Sequence, residues 1–195
     1  RDKVIFQPLG SCLDTEDLCK ISDYLIAQGK SGDFMFITES FLGNHYNIHQ
    51  FFHAEKDYDA ADYIYVTDDL IELRGKKLHK KKNLISQFLR AYPHYSTEVL
   101  TQNDFNDCLE LMKIWEAEKI AASEYVQFEL QSLEKAFAHF DTLGLSGLGI
   151  RIDGKLIAFA LYSGHTSSMA IVHYEKFDRT IKGAAQMINW ETAKF

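Results

Sequence analysis

Residues 148–176 read LGIRIDGKLIAFALYSGHTSSMAIVHYEK, and their reading decides the fold. Two β-rich runs meet at Asp153-Gly154, a dipeptide favoured in two-residue hairpin turns because both turn positions need positive φ. The return run, 155–163, is apolar on both faces: Leu156, Ala158 and Ala160 alternate with Ile157, Phe159 and Leu161. Strands of that kind lie in sheets covered by helices on each side. GHTSS turns the chain again, and MAIVHYEK (169–176) makes a third strand. The pattern predicts a three-stranded antiparallel meander over 145–176.

Helices flank this core in the sequence. Thr101 reads as the cap of a helix over about 102–118, with Phe105, Cys108, Leu109, Met112 and Trp115 on one stripe. A second helix, about 123–142, carries Val126, Leu130, Leu133, Phe137 and Phe140 at 3.6-residue spacing and ends at Gly144. A strand at 95–100 precedes them. After the meander, the polar loop FDRTIKG leads into a last helix from about Gly183. Towards the N-terminus the order is a strand at 4–7, a helix capped by Asp14, a strand at 33–38, weak helical spacing over 41–52 and a strand at 61–66. That alternation marks an α/β layer.

Between the two halves lies LRGKKLHKKKNLISQFLRAY (73–92), with seven basic residues and no acid. The chain has 21 Lys plus Arg and a net charge of -7, so a third of its positive charge sits in this segment. From Gly75 to the stop at Pro93 it reads as a helix whose apolar stripe holds Leu78, Ile85, Phe88, Leu89 and Tyr92. Most of the lysines lie off the stripe; Lys81 points between Leu78 and Ile85, into it. Two readings are open. One is a solvated basic face. The other is a binding site for a polyanion made by Arg74, Lys76, Lys77, Lys80, Lys81, Lys82 and Asn83, because clustered lysines and helix N-terminal amides favour negative charge in the same place.

The 195 residues are 46% apolar and 13% aromatic, ample for a core. No run of eighteen apolar residues exists, so no transmembrane segment is read, and the opening RDKVIFQPLG is not a signal peptide. Cys12, Cys19 and Cys108 have no metal-ligand spacing and point to a reducing, cytoplasmic setting. His45, His49 and His53 are spaced to share a helical face but lack a carboxylate or Cys partner, so no metal is assigned. The chain lacks an initiating Met and its last helix has no C-cap signal, which reads as a piece of a longer protein.

On the strand 169–176, alternation puts His173 and Glu175 on one face and Tyr174 and Lys176 on the other. His173 or Glu175 could act as a base and Tyr174 as an acid in acyl transfer to an amine. The bland reading of Glu175 beside Lys176 is a surface pair. The element order β, α, α, meander, loop, helix resembles that of the GCN5-related acyltransferases. In that fold a Gly-containing turn before the helix binds a pyrophosphate, here the turn holding Lys182 and Gly183. An ordinary glycine at a helix start is the alternative.

Three stretches carry a closer resemblance: ADYIYVTDDLIELRGKKLHKKKNLISQF (61–88), LGLSGLGIRIDGKLIAFALYSG (143–164) and VHYEKFDRTIKGAAQMINWE (172–191). Together they resemble uncharacterised bacterial proteins related to the C-terminal domain of lysylphosphatidylglycerol synthase. Where that family usually has Lys-Arg-Asn, this chain has Lys81-Lys82-Asn83. The resemblance implies an α/β (α+β), GCN5-related acyltransferase-like fold in tandem. Residues 1–75 would be the latter part of a first domain, 76–93 a basic linking helix, and 94–195 a second, more complete domain truncated at its C-terminus. It also implies an acyl- or aminoacyltransferase whose donor is aminoacyl-tRNA or acyl-coenzyme A, with a small-molecule or lipid-headgroup acceptor and tRNA as partner. The other class that stays open is a non-catalytic module binding RNA or another polyanion through the basic helix.

Overall fold

The computed structural model describes residues 4–8, 13–58, 61–118 and 124–195. The side chains of 115–118 and 124–127 are outside that description, so the stripe positions Trp115 and Val126, the helix start at Ser123, and Cys12 lie outside the described residues. The chain divides into two compact units, 1–64 and 65–195.

In the first unit, β1 (Ile5–Phe6) pairs in parallel with β2 (Phe34–Met35) around α1 (Thr15–Ile26). Asp14 caps α1, its side chain accepting the Asp17 amide at 2.9 Å. Leu18 and Ser22 are buried on its inner face. The strand expected over 33–38 is only two residues long, because Phe36 takes a φ of 56° and breaks the extended run. The helical spacing over 41–52 resolves into a short α2 (Glu39–Asn44) and a 3₁₀ turn, Ile48–Gln50. His45, His49 and His53 therefore share no helix. Residues 61–66, expected as a strand, form none. Tyr63 and Ile64 are 84% and 80% exposed. Among the described residues no β-ladder forms there, and β-prone composition alone does not hold a strand.

The second unit is a four-stranded antiparallel sheet in sequence order: β3 (Ser96–Val99), β4 (Leu145–Ile152), β5 (Lys155–Thr166) and β6 (Met169–Phe177). The meander is as expected. Its first turn has φ of 49° at Asp153 and 81° at Gly154, the positive values the dipeptide implied. Against one face pack α5 (Phe105–Glu118) and α6 (Glu124–Ala138). Leu111, Met112, Leu133 and Phe137 meet Leu156, Phe159 and Leu161 there. Against the other pack α4 (His79–Ala91) and α7 (Ala184–Lys194). Ile85, Phe88, Met187 and Ile188 meet Ile150, Ala158 and Ala160. The helix read as a link is thus part of the second unit's own core. A further short helix, α3 (Thr67–Glu72), is tied to α7 by Trp190 Nε1 donating to the Ile71 carbonyl at 2.8 Å.

Two features fix this arrangement. Arg151 on β4 binds Asp104 and Asp107 at 2.7 Å each and also pairs with Glu98, joining β3, β4 and the start of α5. Gly183, at the N-terminus of α7, has φ of 88°, and a Cβ there would lie 2.7 Å from the Leu84 carbonyl oxygen. Only glycine lets α7 approach α4 so closely.

Candidate active site

β6 lies at one edge of the sheet among the described residues, and its register with β5 decides which side chains share a face. Glu175 pairs with Ala160 and Tyr174 with Leu161, but Tyr162 then pairs with Val172, so His173 is an extra residue in a bulge. Such a bulge re-aims side chains. Plain alternation had put His173 beside Glu175. In the structure His173 turns to the α6 side with Tyr174, and Glu175 remains alone of the three on the α4/α7 side. There His173 Nε2 lies 2.8 Å from Ser163 Oγ, and the Tyr174 hydroxyl is hydrogen-bonded to Ser132. Lys176 is buried on that same side and ion-paired with Glu129 at 2.6 Å.

On the α4/α7 side, Asn189 Nδ2 donates to Glu175 Oε2 at 3.3 Å. Burial pushes the Glu175 carboxyl above the usual range; the Asn189 hydrogen bond and the Lys81 charge act against that rise. Lys81 reaches this region from the first turn of α4, with its ammonium 5.5 Å from the centre of the Tyr65 ring. Tyr162 lies on the same face of β5 as Ala160 by alternation, and burial raises its phenol, so it stays neutral and proton-bearing.

The basic run is divided by the same geometry. Lys76, Lys77, Lys80, Lys82 and Asn83 are exposed, and Lys81 alone of the lysines is half-buried. Arg74 is exposed and paired with Glu72, its Nη2 2.7 Å from Oε1. No acid stands in the first turn of α4. Positive charge at a helix N-terminus opposes the macrodipole, so the run is unfavourable for the helix itself.

Lys182 and Gly183 sit in the turn before α7. Lys182 is exposed and Gly183 is buried against α4. Asp178 occupies the turn: its Oδ1 accepts the Thr180 amide at 2.9 Å. Burial pushes this carboxyl up, but the Thr180 hydrogen bonds and the Lys155 charge hold it below the usual carboxylate range. The Thr180 amide is thus already bonded to a carboxylate within the turn.

Sequence reasoning named Glu175 and Lys81 but missed Asn189, Tyr65, Tyr162 and Ser163. Asn189 follows the buried Ile188 on α7 and could have been sought as a polar residue inside an apolar stripe. The bulge at His173 left no sequence signal. Among the described residues no group of side chains could hold a metal, and no helix is long and apolar enough to cross a membrane.

Residues 5–194 match the family model described as phosphatidylglycerol lysyltransferase, C-terminal. Among solved structures, a conserved protein of unknown function from Bacteroides thetaiotaomicron is 29% identical, with a TM-score of 0.82 over 97% of this chain and 65% of its own. The C-terminal domain of a protein described as a lysylphosphatidylglycerol synthetase, from Agrobacterium fabrum, is 16% identical, with a TM-score of 0.58 over 98% of this chain and 59% of its own. The PaiA N-acetyltransferase of Thermoplasma acidophilum, solved with coenzyme A, aligns over 51% of this chain and 70% of its own at 21% identity and a TM-score of 0.39. The chain spans less than two thirds of the Bacteroides and Agrobacterium chains. No curated protein matches it.

Proposed function

The chain belongs to the family of the phosphatidylglycerol lysyltransferase C-terminal domain, and from that premise we propose that it serves an acyl- or aminoacyltransferase that uses Glu175 as general base. The observation that carries the proposal is the setting of Glu175. It is a carboxyl raised by burial, held by Asn189 and approached by Lys81, the half-buried lysine of the basic run. Acyl transfer to an amine or hydroxyl needs a base whose pKa is tuned towards the working pH. As the acceptor attacks the acyl carbonyl, Glu175 takes its proton. The neutral phenol of Tyr162 stands on the same face as a proton source for the leaving oxygen or sulfur.

The donor best suited to this surface is aminoacyl-tRNA. The exposed Lys76, Lys77, Lys80 and Lys82 give its phosphates a cationic track at a helix N-terminus. The Asp178-filled turn before α7 is a poor cradle for the pyrophosphate of coenzyme A. A lipid headgroup or a small amine or alcohol is the acceptor.

The test is label transfer from radioactive lysyl-tRNA, and separately from acetyl-coenzyme A, to phosphatidylglycerol vesicles or to free amines. Transfer from lysyl-tRNA that falls about 100-fold or more in Glu175→Gln supports the assignment. Transfer undiminished in that variant overturns it. A second reading rests on the same exposed lysines: a module that binds RNA without chemistry. Salt-sensitive tRNA binding with no transfer from either donor would favour it.

A further inference from the structure

A second site is built on the face of β6 that Glu175 does not share. The bulge turns His173 onto Ser163, with the hydrogen-bonded hydroxyls of Tyr174 and Ser132 beside them. A cavity of about 490 Å³ opens there, within the range of small-molecule pockets. α6 adds Lys135, and the turn that follows it adds His139, whose amide donates to the Lys135 carbonyl at 3.2 Å, one turn beyond it. Ala136, Leu143 and Leu145 supply an apolar part of the wall. A Ser–His bond that merely joined two strands would need neither a lysine nor a cavity. Charge composition adds to this: the chain has 28 Asp plus Glu against 21 Lys plus Arg, yet among the described residues no carboxylate lines this cavity. Lys135 has no ion-pair partner among the described residues.

We propose that this cavity binds a small oxyanion, a carboxylate or phosphate group carried on a short apolar body. Lys135 supplies the permanent charge. The hydroxyls of Ser132, Ser163 and Tyr174 and the ring N–H groups of His139 and His173 surround the oxygens. The apolar body rests on Leu143 and Leu145. The site is separate from the proposed transfer centre, which lies across the sheet.

The imidazole NMR signals of His139 and His173, two of eight histidines, report on it directly. Inorganic phosphate and isobutyrate are titrated separately into the protein at constant ionic strength. The expected result is a saturable shift confined to those two histidines, with each anion displacing the other; the tighter binder identifies the headgroup. Lys135→Met, at an exposed position of α6, weakens the binding about fivefold, the effect of losing a partly exposed ion pair worth ~1 kcal/mol. Ser163→Ala gives a second, uncharged perturbation that also weakens it. Shifts that are linear, spread over all eight histidines, or unchanged in Lys135→Met overturn the proposal. Glu175→Gln leaves the anion affinity intact, so a failed transfer assay and a failed titration are read separately.

Discussion

Asn189 on α7 and Glu175 on β6 meet at 3.3 Å, and with Lys81 on α4 they bring the last helix, the edge strand and the basic helix to one carboxylate. Burial raises the pKa of this carboxylate, the Asn189 hydrogen bond and the Lys81 charge acting against that rise; shifts of this kind gather at functional sites but also in structural networks.

That carboxylate gives the first prediction. Because its folded-state pKa is raised, the folded protein holds the Glu175 proton more tightly than the unfolded chain does. Stability therefore falls as pH rises from the ordinary carboxylate range through the raised value, and stays lower above it. Glu175→Gln removes that decline. Thermal melts from pH 4 to 8 are expected to show the variant equal to or more stable than the parent at pH 7, although transfer is lost. A variant destabilised at pH 7 would mean that the carboxylate is a structural anchor.

The second prediction concerns Arg151. Its side chain is 15% exposed, as is that of Asp104, and it also satisfies Asp107 and Glu98. Arg151→Met strands three carboxylates, and removing one partner of a largely buried pair costs about 3–5 kcal/mol. A denaturant titration should show a loss near the lower end of that range, since Asp107 is half exposed. Burial pushes Asp104 up, but hydrogen bonds from Thr101 and Arg151 hold it below its ordinary range. Its share of stability is present above the unfolded pKa and fades as pH falls through the folded one.

His45 supplies the third. Its Nδ1 lies 2.7 Å from the Phe41 carbonyl and its Nε2 2.8 Å from the Leu13 carbonyl. A neutral imidazole can donate only one of those bonds, so the pair favours imidazolium, and the backbone bonds raise its pKa. The stability this gives the first unit is full below the unfolded value of about 6.5 and is lost as pH rises through the folded one. An NMR titration placing His45 at or below the unfolded value would contradict it. The expected companion result is faster proteolysis of residues 13–45 at pH 8.5 than at pH 6.

The meander was readable because its turn chemistry, Asp153-Gly154, and its two-faced apolar strand agree with each other and with the helix stripes on either side. The stretch 61–66 was read less well: its strand-like composition forms no β-ladder among the described residues, and composition alone does not make one. The site divided likewise. Lys81 stood out as a charge on an apolar stripe, and it is the half-buried lysine of the run. Alternation alone put His173 next to Glu175, and one inserted residue in the register moved it across the sheet. A bulge is a property of two strands together, so neither strand's sequence announces it.

The last prediction separates Lys81 from Lys80. Methionine keeps the lysine stem and its packing, so Lys81→Met and Lys80→Met should both fold. They differ in what the lost ammonium was near. The Lys81 charge is one of two influences that lower the Glu175 pKa, so its loss lets that pKa rise further. If Glu175 is the base, kcat/KM rises with pH as the carboxyl ionises, and in Lys81→Met that rise moves to higher pH while the plateau is reached later. Lys80 is exposed and is not among the influences on Glu175. Lys80→Met should leave the pH profile in place and instead reduce the salt dependence of polyanion binding by about one phosphate contact. Measuring both variants over pH 5–8 and from 50 to 200 mM salt tests the two roles at once. Superimposable pH profiles would show that Lys81 is one more solvated charge and would detach the basic helix from the chemistry.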